Sequence, residues 1–364
     1  MPCSFSLRTP TPLYPITCHI SNQRMNDAYA GAVKEAAGRI RATVPANLVE
    51  KFATTCTIKK TNFIPCIPSP CKEVCAVDGS NVTLFESGSM ALAVVRAAQT
   101  TFINMERSRR SVTPMTFALI GPEEENLDFP VLYLDCSGHP PGKPLQNQDI
   151  IRAAGILRDT VEFWVTETMA KGLEGGALLL RDGPLRVSHE SHDPVLTRIA
   201  QTCKDKDIGL AGISKRSAAT WGGGHPLLPA VYGFAQTHAV KAPWWIRIDP
   251  AILDHAAFPQ WQHGEMYVAL LHPLSKRPLK IELPRRIGED SAQEIMNRLG
   301  DCSADGRIPG YPYPLLDAHR TVALTKEIVE QVKGDLLGRL TEAGIDRQTY
   351  EILFGDYHDE FRRY

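Results

Sequence analysis

Apolar and polar positions follow two periods along this chain, one typical of helices and one typical of strands. Helical spacing recurs at residues 24–55, 149–172, 194–205, 291–299 and 315–343, and residues 149–172 carry the clearest apolar stripe. Short apolar runs bounded by turn residues predict strands at 75–78, 81–85, 117–120, 131–134, 178–181 and 208–213. Residues 91–104 fit either a strand or a helix, and residues 266–271 and 280–283 predict a hairpin.

The order of these elements indicates the fold class. Several strands come first, and a helix, another strand and further helices follow, which is typical of a mixed α/β core. We predict an RNase H-like mixed sheet flanked by helices, with an added β-rich insertion and a helical C-terminal part.

Composition narrows the class of protein. The chain has 364 residues, of which 43% are hydrophobic and 22% charged, so it can bury a substantial core. Its net charge of -1 argues against a histone-like polycation, but a balanced total is compatible with a basic face, so nucleic acid is neither required nor excluded. No apolar run reaches about 18 residues, and the N-terminus lacks the features of a secretory signal. We therefore expect a cytoplasmic protein with no membrane association.

The nine cysteines are an odd number and are mostly scattered, which favours free thiols over a disulfide framework. Cys66, Cys71 and Cys75 form a local group whose spacing matches no common metal-binding template. Whether these three bind a metal or serve as small buried hydrophobic residues is left open.

Two aspartates follow short apolar runs in the same way. Asp78 follows the run at 75–77 and precedes Gly79, and Asp182 follows the run at 178–181 and precedes Gly183. In each case the glycine is expected to turn the backbone away from the sheet. Carboxylates at strand ends suit Mg²⁺ and Mn²⁺, which prefer oxygen ligands and assist phosphoryl transfer. The pair therefore indicates metal-dependent phosphodiester chemistry.

Four segments form a set in sequence order: residues 76–80, 180–185, 212–215 and 310–319. Together they resemble the NurA nucleases, and the similarity extends over about residues 70–335. The resemblance implies an RNase H-like fold, the cofactor Mn²⁺ or Mg²⁺, and action on DNA ends beside the hexameric translocase HerA.

The resemblance also implies a set of site residues. Asp78 and Asp182 would bind the metal together with a glutamate on the helix before the second aspartate. Glu162 is predicted for this role because residues 158–161 resemble the family's approach to that glutamate, and Glu167, on another helical face, is the alternative. Two further catalytic residues are predicted. Lys215 would offer positive charge to a phosphate, and His319 would complete the metal shell or handle the leaving-group proton.

Aromatic residues next to basic ones are candidates for DNA contacts, because bases stack on aromatic faces and phosphates meet basic side chains. The candidates are Lys241, Trp244, Trp245 and Arg247, together with the basic run at 107–110. A core or dimer contact for the two tryptophans is an equal alternative.

The implied function is that of a deoxyribonuclease with 5′-to-3′ exonuclease and single-strand endonuclease activity. It would act as a homodimer docked on a HerA-like hexameric ATPase. The corresponding domains are a helical extension at 1–60, a NurA-type nuclease domain at 61–340 and a C-terminal tail at 341–364. The alternatives are a non-catalytic DNA-binding or scaffold subunit of such a complex, and an RNase H-like ribonuclease.

Overall fold

The computed structural model describes residues 22–43, 47–86, 90–121, 128–254 and 259–354. The chain divides into two units, Met1–Leu48 and Val49–Tyr364. Helix α1 (Asn22–Thr43) belongs to the first unit, and α2 (Leu48–Thr55) begins at the boundary, so the helical spacing at 24–55 corresponds to two helices. The predicted extension at 1–60 and tail at 341–364 lie partly outside the described residues.

The second unit contains the remaining elements. Its further helices are α3 (Asp128–Ser137), α4 (Ala153–Gly172), α5 (Asp193–Asp205), α6 (Leu227–Thr237), α7 (Glu289–Cys302), α8 (Tyr313–Val322), α9 (Lys326–Glu342) and α10 (Arg347–Phe354). Its strands are β1 (Ile64–Pro65), β2 (Glu73–Glu86), β3 (Ala91–Ile103), β4 (Glu106–Val112), β5 (Thr116–Ile120), β6 (Leu178–Asp182), β7 (Gly209–Ser214), β8 (Thr220–Trp221), β9 (His225–Pro226), β10 (Trp244–Arg247), β11 (Gly264–Leu270) and β12 (Leu279–Pro284).

A large mixed sheet organises this unit. Its strand order is β1-β10-β11-β12-β7-β6-β2-β3-β4, and β5 pairs with β3 beside β4. The central strands β2, β6 and β7 are parallel, whereas β3 and β4 are antiparallel to their neighbours. The predicted RNase H-like mixed sheet is therefore confirmed, with the parallel strands at its centre and antiparallel strands on both sides.

Helices cover both faces of the central strands, so these strands are apolar on both sides. On one face, α3, α4 and α5 pack through side chains such as Phe129, Ile156 and Ile199 against the odd-numbered residues Cys75 and Val77 of β2. On the other face, α7 and α8 pack against the even-numbered residues, among them Val74, Ala76, Leu178 and Leu180. Because side chains alternate along a strand, consecutive residues of β2 and β6 face different helix layers.

Two predictions about strands near the first aspartate were wrong. Strand β2 does not end at Asp78 but continues to Glu86, so Asp78 lies within a strand and residues 81–85 are not a separate one. Gly79 has no positive φ angle, in contrast to Gly183 after the second aspartate, where φ is +101° and the chain does turn. Gly79 is instead required by the close approach of α4, as shown below.

The apolar run at 131–134 also differs from its predicted structure, because it lies in helix α3 and not in a strand. Phe129, Leu132 and Tyr133 are buried at helical spacing, and Pro130 stands in the first turn, where its missing N–H costs nothing. The chain between β4 and α4 therefore contains both strand β5 and helix α3, while the helical C-terminal part is confirmed as α7 to α10.

The described helices include none that is both long enough and apolar enough to cross a membrane. Cys66, Cys71 and Cys75 are buried free thiols, and burial raises the pKa of Cys66 to about 11 and that of Cys75 to about 12.

Candidate metal centre

Asp78 reaches the face of the sheet that α8 covers. It is an even-numbered residue of β2 and therefore shares a face with Val74 and Ala76, and it is 5% exposed. Its Oδ2 lies 2.7 Å from Nδ1 of His319 on α8. Helix α8 is fixed on this face because Thr100 of β3 donates a hydrogen bond to the Pro314 carbonyl in its first turn. The strand and the helix together place the carboxylate and the imidazole in contact.

Asp182 joins this pair from the neighbouring parallel strand. It ends β6, on the same face as Leu178 and Leu180, and the turn at Gly183 follows it. One ligand atom each from Asp78, Asp182 and His319 lies within 4.8 Å of the others. Two aspartates 104 positions apart in the sequence thus converge because β2 and β6 are hydrogen-bonded side by side.

Lys215 supplies positive charge to the same point. It follows directly after β7, the next parallel strand, and its Nζ donates a short hydrogen bond to Oδ2 of Asp182 and lies 3.9 Å from Oδ2 of Asp78. Three adjacent parallel strands therefore each deliver one charged group to this site.

The electrostatics of the site place a proton between Asp78 and His319. Burial raises the pKa of Asp78 to about 7, and the nearby charge of Asp182 adds to the rise. Burial lowers the pKa of His319, and the positive charge of Lys215 lowers it further. The hydrogen bond between them needs a proton on one of the two atoms, either Oδ2 of Asp78 or Nδ1 of His319.

The donor set suits a divalent cation. Carboxylate oxygens are the preferred ligands of Mg²⁺ and Mn²⁺, and an imidazole nitrogen is compatible with Mn²⁺. The ammonium group of Lys215, in contact with Asp182 and close to Asp78, shows that the two carboxylates form a site for positive charge.

Glu162 lies next to this group but on the other face of β2. A Cβ atom at Gly79 would come within 2.7 Å of Glu162 Oε2, so the glutamate is pressed against the backbone directly after Asp78. Its Oε1 is 2.9 Å from Nε of Arg181, the residue before Asp182, and its Oε2 is 3.9 Å from Arg158. Burial raises the pKa of Glu162, and Arg181 opposes the rise. In this structure Glu162 is thus bound to arginines and is not one of the three converging ligand groups.

Glu167, the alternative ligand, faces a different neighbour. Its carboxylate is 2.9 Å from Nε of Arg198 on α5 and 3.2 Å from Nζ of Lys171, and these contacts lower its pKa despite burial. The two glutamates are five positions apart on α4, which turns their side chains about 140° away from each other. The structure therefore separates Glu167 from the aspartates.

The predicted DNA-binding residues fall into two classes. Trp244 and Trp245 on β10 are 1% and 2% exposed, Trp244 against Phe63 and Trp245 against Tyr267. This is the core role that the sequence left open, and neither indole has a face available for a base. Lys241 and Arg247 are exposed, and Arg247 pairs with Glu265 at 2.9 Å.

Tyr311 belongs to the site region but was not predicted to act there. Its side chain is 8% exposed, and its hydroxyl has no hydrogen-bond partner among the described residues. Burial raises its pKa, and Asp182 and Asp78 raise it further, which places the hydroxyl within electrostatic reach of both carboxylates. The only sequence signal was its place in the segment at 310–319 that resembles the nuclease family.

Comparisons with known proteins agree with this fold. The family model described as the NurA domain matches residues 72–220, a range that includes Asp78, Asp182 and Lys215. The structure is similar to that of the NurA nuclease from Sulfolobus solfataricus, with a TM-score of 0.54 and 14% identity over 86% of this chain and 98% of that chain. A second NurA crystal structure gives a TM-score of 0.51 and 9% identity over 84% of this chain and 98% of that chain.

No curated protein matches the sequence of this chain. The family model and the shared fold nevertheless agree on one assignment. Residues 72–220 of the chain match the NurA domain, and the chain shares the fold of two NurA structures.

Proposed function

We propose that this chain is a divalent-metal-dependent nuclease that hydrolyses the phosphodiester bonds of DNA. The observation that carries the proposal is the convergence of Asp78, Asp182 and His319 within 4.8 Å, with Lys215 beside them. The resemblance to the NurA nucleases supports the choice of substrate. The fold alone does not define a reaction, whereas the chemistry of these four side chains favours metal-dependent hydrolysis.

Asp78 and Asp182 are the residues that would hold Mn²⁺ or Mg²⁺, and His319 would either complete the metal shell or handle the leaving-group proton. Such an ion, when bound, lowers the pKa of water and neutralises charge that develops on a phosphate. Glu162 remains a predicted third carboxylate ligand, and it lies beside the backbone of Gly79, the residue after Asp78.

The remaining chemistry belongs to the chain itself. In hydrolysis, a bond forms between a water oxygen and phosphorus, the bond from phosphorus to the ester oxygen breaks, and the departing oxygen takes up a proton. Lys215 would stabilise the charge on that oxygen or on the phosphate. In the role that is the alternative to metal binding, His319 would contact Asp78 through Nδ1 and exchange a proton with the departing oxygen through Nε2. No covalent enzyme intermediate is required.

The finer activities follow from the resemblance. We propose 5′-to-3′ exonuclease and single-strand endonuclease activity on DNA ends, by a cytoplasmic homodimer docked on a HerA-like hexameric ATPase. The sequence has no Gly-x-x-x-x-Gly-Lys-Ser/Thr loop for nucleotide phosphates, so a motor protein would have to supply ATP-driven movement.

The test is digestion of end-labelled single- and double-stranded DNA and RNA with Mn²⁺, with Mg²⁺ and with chelator. The wild type should degrade DNA only with metal, Asp78→Asn should fall to the chelator background, and Asp335→Asn, which removes an exposed carboxylate from α9, should match the wild type. Equal activity of Asp78→Asn and wild type would contradict the assignment. Degradation of RNA alone would support the ribonuclease alternative.

Binding of the ion is measured separately, as the Mn²⁺-induced rise in melting temperature. Ligands that bind only the folded state stabilise it, so the rise should be present in the wild type and in Asp335→Asn and absent in Asp182→Asn. If the wild type shows no Mn²⁺-induced rise but still binds DNA, the scaffold alternative is supported.

A further inference from the structure

Strand β4 is a positively charged edge next to the candidate metal centre. It is the last strand in the order of the sheet, and each of its seven residues, Glu106–Val112, is exposed. It carries Arg107, Arg109 and Arg110. No other strand of the described chain pairs with its outer edge.

Two of these arginines converge on one buried carboxylate. Nη1 of Arg107 and Nη2 of Arg110 lie 3.1 Å and 2.9 Å from the same oxygen, Oδ1 of Asp317. The Asp317 side chain is 5% exposed, whereas the two arginine side chains are 45% and 44% exposed. Two guanidinium groups on one carboxylate leave a net positive charge at the surface. Each guanidinium contacts Asp317 through one nitrogen, so most of its donors remain for another acceptor.

Arg96, a third arginine near α8, differs from Arg107 and Arg110 in its contacts. Arg96 of β3 donates hydrogen bonds to the carbonyls of Val322 and Ala323 at the end of α8, and these contacts fix the helix. Arg107 and Arg110 of β4 contact the same helix through Asp317, yet nearly half of each arginine side chain is exposed to solvent.

Strand β4 lies close to the candidate metal centre. Asp317 is two residues before His319 on α8. Across the sheet, Asp78 pairs with Ala98, which pairs with Val112, and Arg110 lies two residues further along β4. From strand spacing and rise per residue, the Cα atoms of Arg110 and Asp78 are roughly 12 Å apart. A nucleic acid strand with one phosphate at Asp78 would therefore have its neighbouring phosphates near β4.

We propose that Arg107 and Arg110, held in place by Asp317, form a binding site for the backbone phosphates of a DNA strand that extends from the metal centre. The inference rests on the proposed nuclease function for the identity of its ligand. The planar guanidinium fork matches two phosphate oxygens, and a pair of such groups needs no particular base sequence. Charged side chains on an edge strand also prevent pairing with other sheets. That role does not require two arginines to share one buried carboxylate.

The test measures binding without turnover. Anisotropy of a labelled oligothymidylate of about 20 nucleotides is recorded with the full chain in chelator, over a series of salt concentrations. Each phosphate contact with a single strand contributes about 0.7 to the slope of log K against log salt, so Arg107→Gln/Arg110→Gln should lower the slope by about 1.4. The control Arg39→Gln/Arg339→Gln removes two exposed arginines from helix ion pairs and should keep the wild-type slope.

Two further variants separate loss of binding from loss of folding. The glutamine pair leaves the Asp317 carboxylate buried without a partner, which destabilises the protein, so Asp317→Asn is added to the same background to remove that charge. This triple variant should keep the lowered slope while its melting temperature recovers. Arg107→Lys/Arg110→Lys keeps both charges and should keep the wild-type slope.

A wild-type slope and affinity in the folded triple variant would overturn the inference and leave edge protection as the role of β4. If the wild type degrades DNA and the triple variant keeps the wild-type slope and affinity, the proposed function stands without this phosphate site. If the wild type degrades no DNA and the slope still falls by about 1.4, the phosphate site stands and the nuclease assignment fails.

Discussion

Gly79 leaves no room for a side chain between β2 and α4, and Gly79→Ala tests that directly. The alanine Cβ would lie 2.7 Å from Oε2 of Glu162 and 2.8 Å from Cγ of Arg158. Both distances are far below the ordinary contact distance of about 3.5 Å between non-bonded heavy atoms. Glu162 is 2% exposed and is held by Arg181 at 2.9 Å, so its carboxylate has little room to move aside.

The magnitude follows from three contributions. An added methyl group in a packed interior costs about 1–3 kcal/mol. Separation of Glu162 from Arg181 would break a buried ion pair, for which the loss is about 3–5 kcal/mol when complete. Replacement of glycine in a strand returns about 0.5–1 kcal/mol through backbone entropy. Because the flexible Arg158 can move and Glu162 need shift only in part, we expect a net loss of about 2–4 kcal/mol.

The assay is urea unfolding of the metal-free protein. Gly155→Ala on α4 is the matched control, because no described atom lies within 4 Å of its added Cβ, and it should gain up to about 1 kcal/mol from helix propensity. In a Glu162→Ala background the cost of Gly79→Ala should shrink by at least about 1 kcal/mol, since the two side chains are in contact. Equal stability of Gly79→Ala and Gly155→Ala, or additive effects in the double variant, would refute the reasoning.

Three further predictions concern single side chains. Burial lowers the pKa of His192 to about 3, whereas the unfolded chain has a histidine pKa of about 6.5, so between these pH values the unfolded chain binds one more proton. The unfolding free energy should therefore fall by about 1.4 kcal/mol for each pH unit below 6.5, and urea unfolding of His192→Asn should lack this part of the fall. Glu167→Gln should keep DNA hydrolysis and the Mn²⁺-induced rise in melting temperature, because Glu167 binds Arg198 and Lys171; loss of either would restore it as a ligand. Tyr311→Phe should change the unfolding free energy by less than about 1 kcal/mol, since the buried hydroxyl has no partner among the described residues, yet it should lower kcat; an unchanged kcat would exclude a role near the aspartates.

Local sequence signals predicted the parts of the fold that local physics controls. The apolar stripe at 149–172 became α4, and the alternating segments near 266–271 and 280–283 became the paired strands β11 and β12. Asp78 and Asp182 were selected because each follows a short apolar run, and the family resemblance added Lys215 and His319. The structure brings these four residues together. Periodicity alone would not have paired β2 with β6, because 100 or so residues separate them and no local pattern encodes that contact.

The sequence predictions differ from the structure where the environment of a side chain depends on distant parts of the chain. Five positions on α4 separate Glu162 from Glu167, and which of them meets the sheet is decided by how the helix is rotated. A pair of tryptophans beside basic residues suits both a nucleic acid surface and a core, and the neighbours of Trp244 and Trp245 come from other elements. The sequence predicts Gly79 as a turn residue. The structure requires a glycine there because the carboxylate of Glu162, 83 positions away in the sequence, lies against its backbone.

The alternation of side chains along β2 and β6 makes the strand register of this sheet sensitive to charge. Asp78 and Asp182 face α8, while the adjacent positions Gly79 and Arg181 face α4. A slip of one residue would exchange these faces, because the side-chain period of a strand is two. A slipped β2 would drive the Asp78 carboxylate against Glu162, and a slipped β6 would carry Arg181 away from that glutamate. Mispaired forms of the central sheet would therefore bring like charges together or separate a buried ion pair, so the acidic residues proposed for catalysis also disfavour a shifted alignment of the strands.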